Sequence, residues 1–301
     1  MKNLITFLLL GVWSGSVFAA APMTNNLQTL GELFFTNLAS APFPHPLRVN
    51  GHAHAGQVYP ATPHYADNRV AIFIPKNFRA TDKVNLVVHF HGWRARLDRM
   101  LEKFQLVEQF AASGRNAIFV APQGPLDAPD SFGGKLEDAE GFRRFLDEVL
   151  GVLRQRQQLQ QAGLGDVILS GHSGGYRVMA SILQIGGVTA HIKEVYLFDA
   201  LYGRSDAFLD WIERGQGRLI NIYTKDGGTK AETEKFIATV KSKMIPHLAR
   251  EEAGITSREL KENRLLFLFT TLDHNQVLYE HHNFRDYLAT GSLPARADST
   301  P

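Results

Sequence analysis

Residues Asp166 to Tyr176, DVILSGHSGGY, constrain this chain more than any other stretch. The apolar run Val167-Ile168-Leu169 leads into Gly171-His172-Ser173-Gly174-Gly175, and Val178 to Leu183 beyond it suits a helix. A strand that passes through a glycine-bracketed serine into a helix is the setting of a G-x-S-x-G nucleophile turn. So sharp a turn needs residues without side chains two positions either side of Ser173, and it leaves the serine Oγ standing above the sheet edge. Gly174 then opens the helix, where backbone N–H groups have no intrahelical acceptor and are free to stabilise an oxyanion. The competing reading is a glycine-rich turn that carries a serine by chance. The flanking strand and helix argue against it.

A second strong signal lies upstream. Val84 to Trp93, VNLVVHFHGW, is nearly continuous apolar sequence, as expected of a central strand covered on both faces. Two readings of its end compete. His89 and His91 could be the first ligands of a metal site, which requires further His and Asp ligands at the ends of later strands; those are sparse. Alternatively His91-Gly92 opens an oxyanion loop with the Trp93 N–H as donor, which requires a serine turn downstream. One is present, so the oxyanion loop is preferred. His52 and His54 form another H-x-H pair, but no acidic residue or third histidine follows at ligand spacing, and they read as surface-loop histidines.

Around these two strands the chain alternates. Leu27 to Phe35 reads as a short helix, and Arg69 to Pro75 as a strand closed by proline. Leu97, Met100, Leu101, Phe104, Val107 and Phe110 recur at helical spacing and predict one helix that Ser113-Gly114 ends. Further strands are expected over 116–122, 194–198, 218–223 and 264–270, with helices over 142–153, 205–211, 230–250 and 281–289. The polar run 154–161 reads as the solvated end of its helix. The alternation predicts an α/β fold: one mostly parallel central sheet with helices on both faces. It occupies residues 48–290 as a single domain, after a lead-in segment over 22–47 and before a polar tail over 291–301.

The N-terminus reads as a cleavable signal peptide over residues 1–21. Lys2 supplies the positive start, Leu4 to Trp13 a short apolar core, and Val17-Phe18-Ala19 the small cleavage residues, with Ala19-Ala20-Ala21 an equal frame. The apolar stretch is too short to span a bilayer comfortably, so no stable membrane insertion is expected. A periplasmic or secreted protein follows. A net charge of +2 gives no case for nucleic acid. The absence of cysteine excludes disulfides, thiolate metal sites and a cysteine nucleophile.

With these motifs in place the chain resembles the α/β-hydrolase superfamily. The strand ending in His91-Gly92, the turn Gly171 to Gly175, and His274 in Leu272-Asp273-His274-Asn275 carry the likeness. The lead-in from Arg69 to Gly92 looks like the start of exported esterases of the feruloyl esterase and polyester depolymerase type, although those usually use disulfides. The resemblance implies an α/β-hydrolase fold and a nucleophile–acid–histidine order: Ser173 attacking a carbonyl, His274 as general base, and an aspartate orienting the imidazole. Two aspartates follow strands at suitable places. Asp226 has the more usual family position but sits in Lys225-Asp226-Gly227-Gly228, a good exposed turn. Asp199 ends what should be an interior strand, where a carboxylate needs a partner, and its spacing resembles pancreatic-type lipases. Asp199 is preferred. His281 and His282 are weaker candidates for the base, and His172 is expected to pack beside the site.

The resemblance thus implies an exported serine hydrolase that cleaves carboxylic esters through an acyl-enzyme. Its substrate would be a small-molecule or polymer acyl compound, with oxyanion donors on Trp93 and Gly174, and neither a metal nor an organic cofactor is required. An amidase or peptidase acting on cell-envelope material is the nearest alternative. A catalytically silent binding protein on the same scaffold is the alternative of another class.

Overall fold

The computed structural model describes residues 27–156, 162–215 and 217–297. The expected signal peptide over 1–21 lies outside the described residues, as do positions 157–161 of the polar run. In chain order the strands are β1 (Gly31–Asn37), β2 (His52–His54), β3 (Gln57–Tyr59), β4 (Arg69–Pro75), β5 (Lys83–Phe90) and β6 (Ile118–Pro122). There follow β7 (Gly163–His172), β8 (Ile192–Phe198), β9 (Arg218–Thr224), β10 (Leu248–Glu251) and β11 (Leu265–Thr270). Nine of them form one sheet in the order β1-β4-β6-β5-β7-β8-β9-β11-β10, and β2 and β3 make a separate hairpin. β1 with β4 and β4 with β6 pair antiparallel; every other pair in the sheet is parallel. The serine strand β7 is the middle strand. Its parallel neighbours bring their C-terminal ends to the same edge of the sheet, the edge at which α/β sheets collect ligands.

Burial on both faces explains the near-continuous apolar runs. Along β8, Val195 and Leu197 enter the core shared with the helices Gly141–Gln155 and Tyr176–Ile185, while Tyr196 and Phe198 enter the core on the opposite face. Phe198 is fully buried and its ring centroid lies 5.5 Å from that of Tyr287 on the helix Asn283–Ala289. Truncating such a residue to alanine costs about 3–5 kcal/mol. The expected mostly parallel sheet with helices on both faces is what the chain forms.

Four local expectations are corrected. Leu27–Leu30 is helical, but Gly31–Asn37 is strand β1, paired with β4. Leu33 and Phe35 pack on one face and Phe34 on the other, a period of two that the short apolar run disguised. The helix expected over 97–110 is two, Leu97–Lys103 and Leu106–Ala112, broken at Gln105 with φ +50°. The buried Gln109 amide accommodates the break, donating to the Phe104 carbonyl at 2.8 Å and the Leu278 carbonyl at 2.9 Å. The helix expected over 230–250 stops at Ser242, and Leu248–Glu251 instead adds edge strand β10 beside β11. Pro246, which cannot continue a helix, lies between them. Finally, the domain runs beyond 48–290 on both sides: β1 belongs to the sheet, Leu293 is buried, and Asn116 N–H donates to the Pro294 carbonyl at 2.8 Å.

Candidate active site

Ser173 sits where β7 ends, in a single 3-10 turn, Ser173–Gly175, that runs into the helix Tyr176–Ile185. Its φ of +54° is left-handed, a conformation that costs a non-glycine residue roughly 1–3 kcal/mol and persists where the surroundings enforce it. The flanking glycines are required by contact. A Cβ on Gly171 would lie 2.3 Å from the Met179 sulfur, and one on Gly175 would lie 2.7 Å from the Phe90 carbonyl oxygen. Gly92 is needed for a related reason: its Cβ would fall 2.5 Å from that of Ser173, so the backbone after β5 runs directly against the serine.

Asp199 follows β8 and is also left-handed, with φ +44°. Its side chain is wholly buried and fully used. Oδ1 accepts from the Thr224 N–H at 3.2 Å and from the Thr229 hydroxyl. Oδ2 accepts from the Thr224 hydroxyl at 2.9 Å and from His274 Nδ1 at 2.6 Å. Burial alone would raise the carboxyl pKa, but the hydrogen bonds from His274, Thr229 and Thr224 outweigh it and hold the group below the usual carboxylate range. Gly227 lies flat against this carboxylate; a Cβ there would sit 1.7 Å from Oδ2. A carboxylate accepts only, so His274 carries its proton on Nδ1 and its Nε2 keeps a lone pair. Asp226, by contrast, is exposed in the bend that follows β9.

Three further histidines surround the site, each with an assignable role. His91 is buried; its Nε2 accepts from the Gly124 N–H at 2.7 Å, so its proton is on Nδ1, which donates to the Gly92 carbonyl at 2.7 Å. Burial pushes its pKa down, keeping it neutral. Because the peptide is planar and trans, fixing the Gly92 carbonyl also fixes the Trp93 N–H, which points the opposite way. His172 donates from Nε2 to the His274 carbonyl at 2.8 Å, and its ring lies 4.6 Å from that of His274. Burial, aided by the neighbouring His274, lowers its pKa to about 3. His89 is buried beneath, with Nδ1 2.9 Å from the Ser170 hydroxyl. None of these contacts is to a metal-ligating cluster, and no group of three or more His, Asp or Glu side chains among the described residues could hold a metal ion. His281 pairs with Glu252 at 2.8 Å, and His282 precedes the helix Asn283–Ala289 with φ +54°. Neither lines the cavity over Ser173.

That cavity has a volume of about 630 Å³ and is lined by Ser173, Gly174, His172 and His274 as well as Trp93 and Tyr202. Trp93 is 47% exposed, which leaves its indole face available to a ligand, while its Nε1 donates to the Ser131 hydroxyl at 2.7 Å. Ser131 belongs to the loop after β6. That loop is anchored by chain that precedes β4: Arg48 Nε donates to Asp130 at 2.7 Å, and Phe132 packs with Phe43 and Tyr65 in a small core of its own. The hairpin β2–β3 closes the same side, with the His54 ring 5.0 Å from that of Trp93. His54 is thus half-buried against the site wall, where the sequence suggested a surface loop.

Several of these residues escape sequence reasoning. Thr224, Thr229 and Gly227 reach Asp199 only through the pairing of β8 with β9. Tyr202 donates its hydroxyl to the Gly227 carbonyl and also hydrogen-bonds Ser173; burial and the Asp199 charge raise its pKa to about 12. The one local signal is its position three residues after Asp199.

No protein-family model matches the chain, and no curated protein matches it. Solved structures do. A feruloyl esterase module from Clostridium thermocellum, complexed with sinapinate, has a TM-score of 0.54 at 12% identity, covering 93% of this chain and 96% of its own. A fluorophosphonate-binding serine hydrolase from Staphylococcus aureus, with substrate bound, has a TM-score of 0.52 at 11% identity, covering 87% of this chain and 100% of its own. At such identities the likeness is one of fold.

Proposed function

We propose that this chain, which has the α/β-hydrolase fold, is a serine hydrolase of carboxylic esters acting through Ser173, His274 and Asp199. The observation that carries the reading is the 2.6 Å bond from His274 Nδ1 to the buried Asp199 carboxylate, in the cavity that also holds Ser173 on its strained turn. It leaves His274 with a lone pair on Nε2 in the cavity that Ser173 also lines, the pair of groups that general-base activation needs. The two similar structures are named an esterase module and a serine hydrolase, which accords with this reading.

In the reaction, Ser173 Oγ attacks the ester carbonyl carbon as its proton passes to His274 Nε2. The Trp93 and Gly174 N–H groups receive the oxyanion. The C–O bond to the alcohol then breaks, His274 returns the proton to the departing oxygen, and the acyl-Ser173 ester remains. Water, deprotonated by His274, attacks that ester; the C–Oγ bond breaks as His274 returns the proton to Ser173 Oγ, and the acid is released. Asp199 stays ionised throughout and stabilises the imidazolium.

Export to the periplasm or medium is part of the same proposal and rests on the N-terminal sequence. No described helix is long and apolar enough to cross a membrane. The test of the activity is hydrolysis of p-nitrophenyl acetate by the wild type and by Ser173→Ala. Loss of several orders of magnitude in the variant is expected, and turnover near the wild-type rate would refute the assignment. N-terminal sequencing of the protein recovered from a periplasmic fraction tests export; a start near residue 22 is expected, and an intact Met1 would refute it.

A further inference from the structure

The wall of the Ser173 cavity carries an uneven distribution of charge. Arg94, Arg96, Arg99 and Lys103 line it against a single carboxylate, Asp127. Arg96, Arg99 and Lys103 follow one another at helical spacing along Leu97–Lys103 and its entry, so they present one face to the cavity. The acids of that helix, Asp98 and Glu102, do not line the cavity. Asp127 is engaged by Arg96 at 2.9 Å. The other three cations have no carboxylate within ion-pair distance among the described residues: Arg94 reaches only the Tyr59 hydroxyl, at 3.4 Å, and Lys103 lies 5.2 Å over the Phe104 ring.

A solvated basic face is the ordinary explanation of such residues, but here the face forms one side of the site itself. It also begins at the oxyanion loop, one residue after Trp93, and ends at Phe104, whose ring packs 5.4 Å from that of His172. A negative group bound beside the reacting carbonyl would meet three unpaired, exposed cations along the cavity wall, an attraction that steers anions and that salt screens. The same cavity is lined by Trp93, Tyr176 and Tyr202, flat surfaces that suit an apolar or aromatic body.

We propose that the cavity selects esters bearing an anionic group, a carboxylate or phosphate, held by Arg94, Arg99 and Lys103 while the ester carbonyl lies at Ser173. This rests on the esterase reading given above and names its substrate class.

The test compares two pairs of esters, similar in size and differing in charge. On the acyl side these are p-nitrophenyl hemisuccinate and p-nitrophenyl pentanoate; on the alcohol side, meta-acetoxybenzoate and its neutral amide. At low ionic strength the anionic member of at least one pair should have the higher kcat/KM, by about tenfold, and about 0.5 M salt should erase most of that preference. In Arg99→Glu/Lys103→Glu the anionic-to-neutral ratio should fall by about three- to thirtyfold, the range expected for reversing two exposed charges. Using the ratio removes any general loss of activity, and a thermal melt reports folding. Neutral members equal or better in both pairs would overturn the proposal, as would a ratio indifferent to charge reversal. If none of the four esters is cleaved, the esterase reading fails by itself. Calorimetric binding of the hemisuccinate against the pentanoate then decides the anion site separately, with tighter binding of the anion expected and equal binding contradicting it.

Discussion

Replacing Asp199 by asparagine isolates one physical quantity, the tautomer of His274. The carboxylate accepts four hydrogen bonds, two on each oxygen. An asparagine keeps one acceptor oxygen, and the Thr224 N–H on the Oδ1 side can only donate, so the oxygen stays there. The opposite flip would leave that buried N–H facing an NH2 group, at a cost of about 1–3 kcal/mol. The amide NH2 therefore faces His274 and donates to Nδ1. His274 must then carry its proton on Nε2, which can no longer accept one from Ser173. The expected loss in kcat is roughly 10³–10⁴, or about 4–5.5 kcal/mol at 1.36 kcal/mol per decade. The assay is steady-state hydrolysis of a common ester at pH 8, with a thermal melt to show that the threonine hydroxyls have re-paired. Asp226→Asn, at an exposed bend, should stay within about twofold, the size of effect ordinary for such surface sites. The reasoning fails if the folded Asp199→Asn enzyme stays within about tenfold of wild type, or if Asp226→Asn is the variant that collapses.

His91→Leu removes the group that fixes the Gly92 carbonyl, so the Trp93 N–H loses its aim; kcat should fall by about 10–100-fold with KM little changed, and an unchanged kcat in the folded variant would refute the positioning role. Gly227→Ala drives a methyl into the Asp199 carboxylate, 1.7 Å from Oδ2. Its kcat should drop by more than about a hundredfold and its stability by about 1–3 kcal/mol, and wild-type kinetics would show that the turn after β9 does not hold the acid. His172 has its pKa lowered from 6.5 to about 3, so between those values the unfolded chain binds the proton that the folded chain refuses. Its contribution is therefore full above pH 6.5 and is lost as pH falls, with a slope approaching about 1.4 kcal/mol per pH unit. His172→Gln, which can retain the donor to the His274 carbonyl, should flatten the pH 4–6 limb of urea-melt stability by about one proton's worth, and an unchanged slope would contradict this.

What the sequence made legible follows from how local each constraint is. The turn at Ser173 and the close pass of Gly92 demand missing side chains at fixed positions, and fixed positions are what a linear text records. The alternation of apolar strands with amphipathic helices gave the parallel sheet in the same way. The break at Gln105 was not readable, because the buried Gln109 amide that accommodates it looks like any polar residue on a helix. β1 was misread since three apolar residues in a row, Leu33 to Phe35, fit either period. Choosing between Asp199 and Asp226 needed a desolvation argument, and the surroundings of Asp199 come from β9 and the loops after it. Tyr202 and the cationic wall are likewise tertiary facts: neither has a spacing that distinguishes it from surface sequence.

That Ser173 is an activated nucleophile is tested directly by one measurement. The intact protein is treated with a fluorophosphonate, and its mass is read alongside those of Ser173→Ala and Asp199→Asn. A single adduct that maps to the peptide containing Ser173 is expected, absent in Ser173→Ala and formed far more slowly in Asp199→Asn. A folded wild-type protein that takes up no label, or an adduct that survives Ser173→Ala, would contradict it.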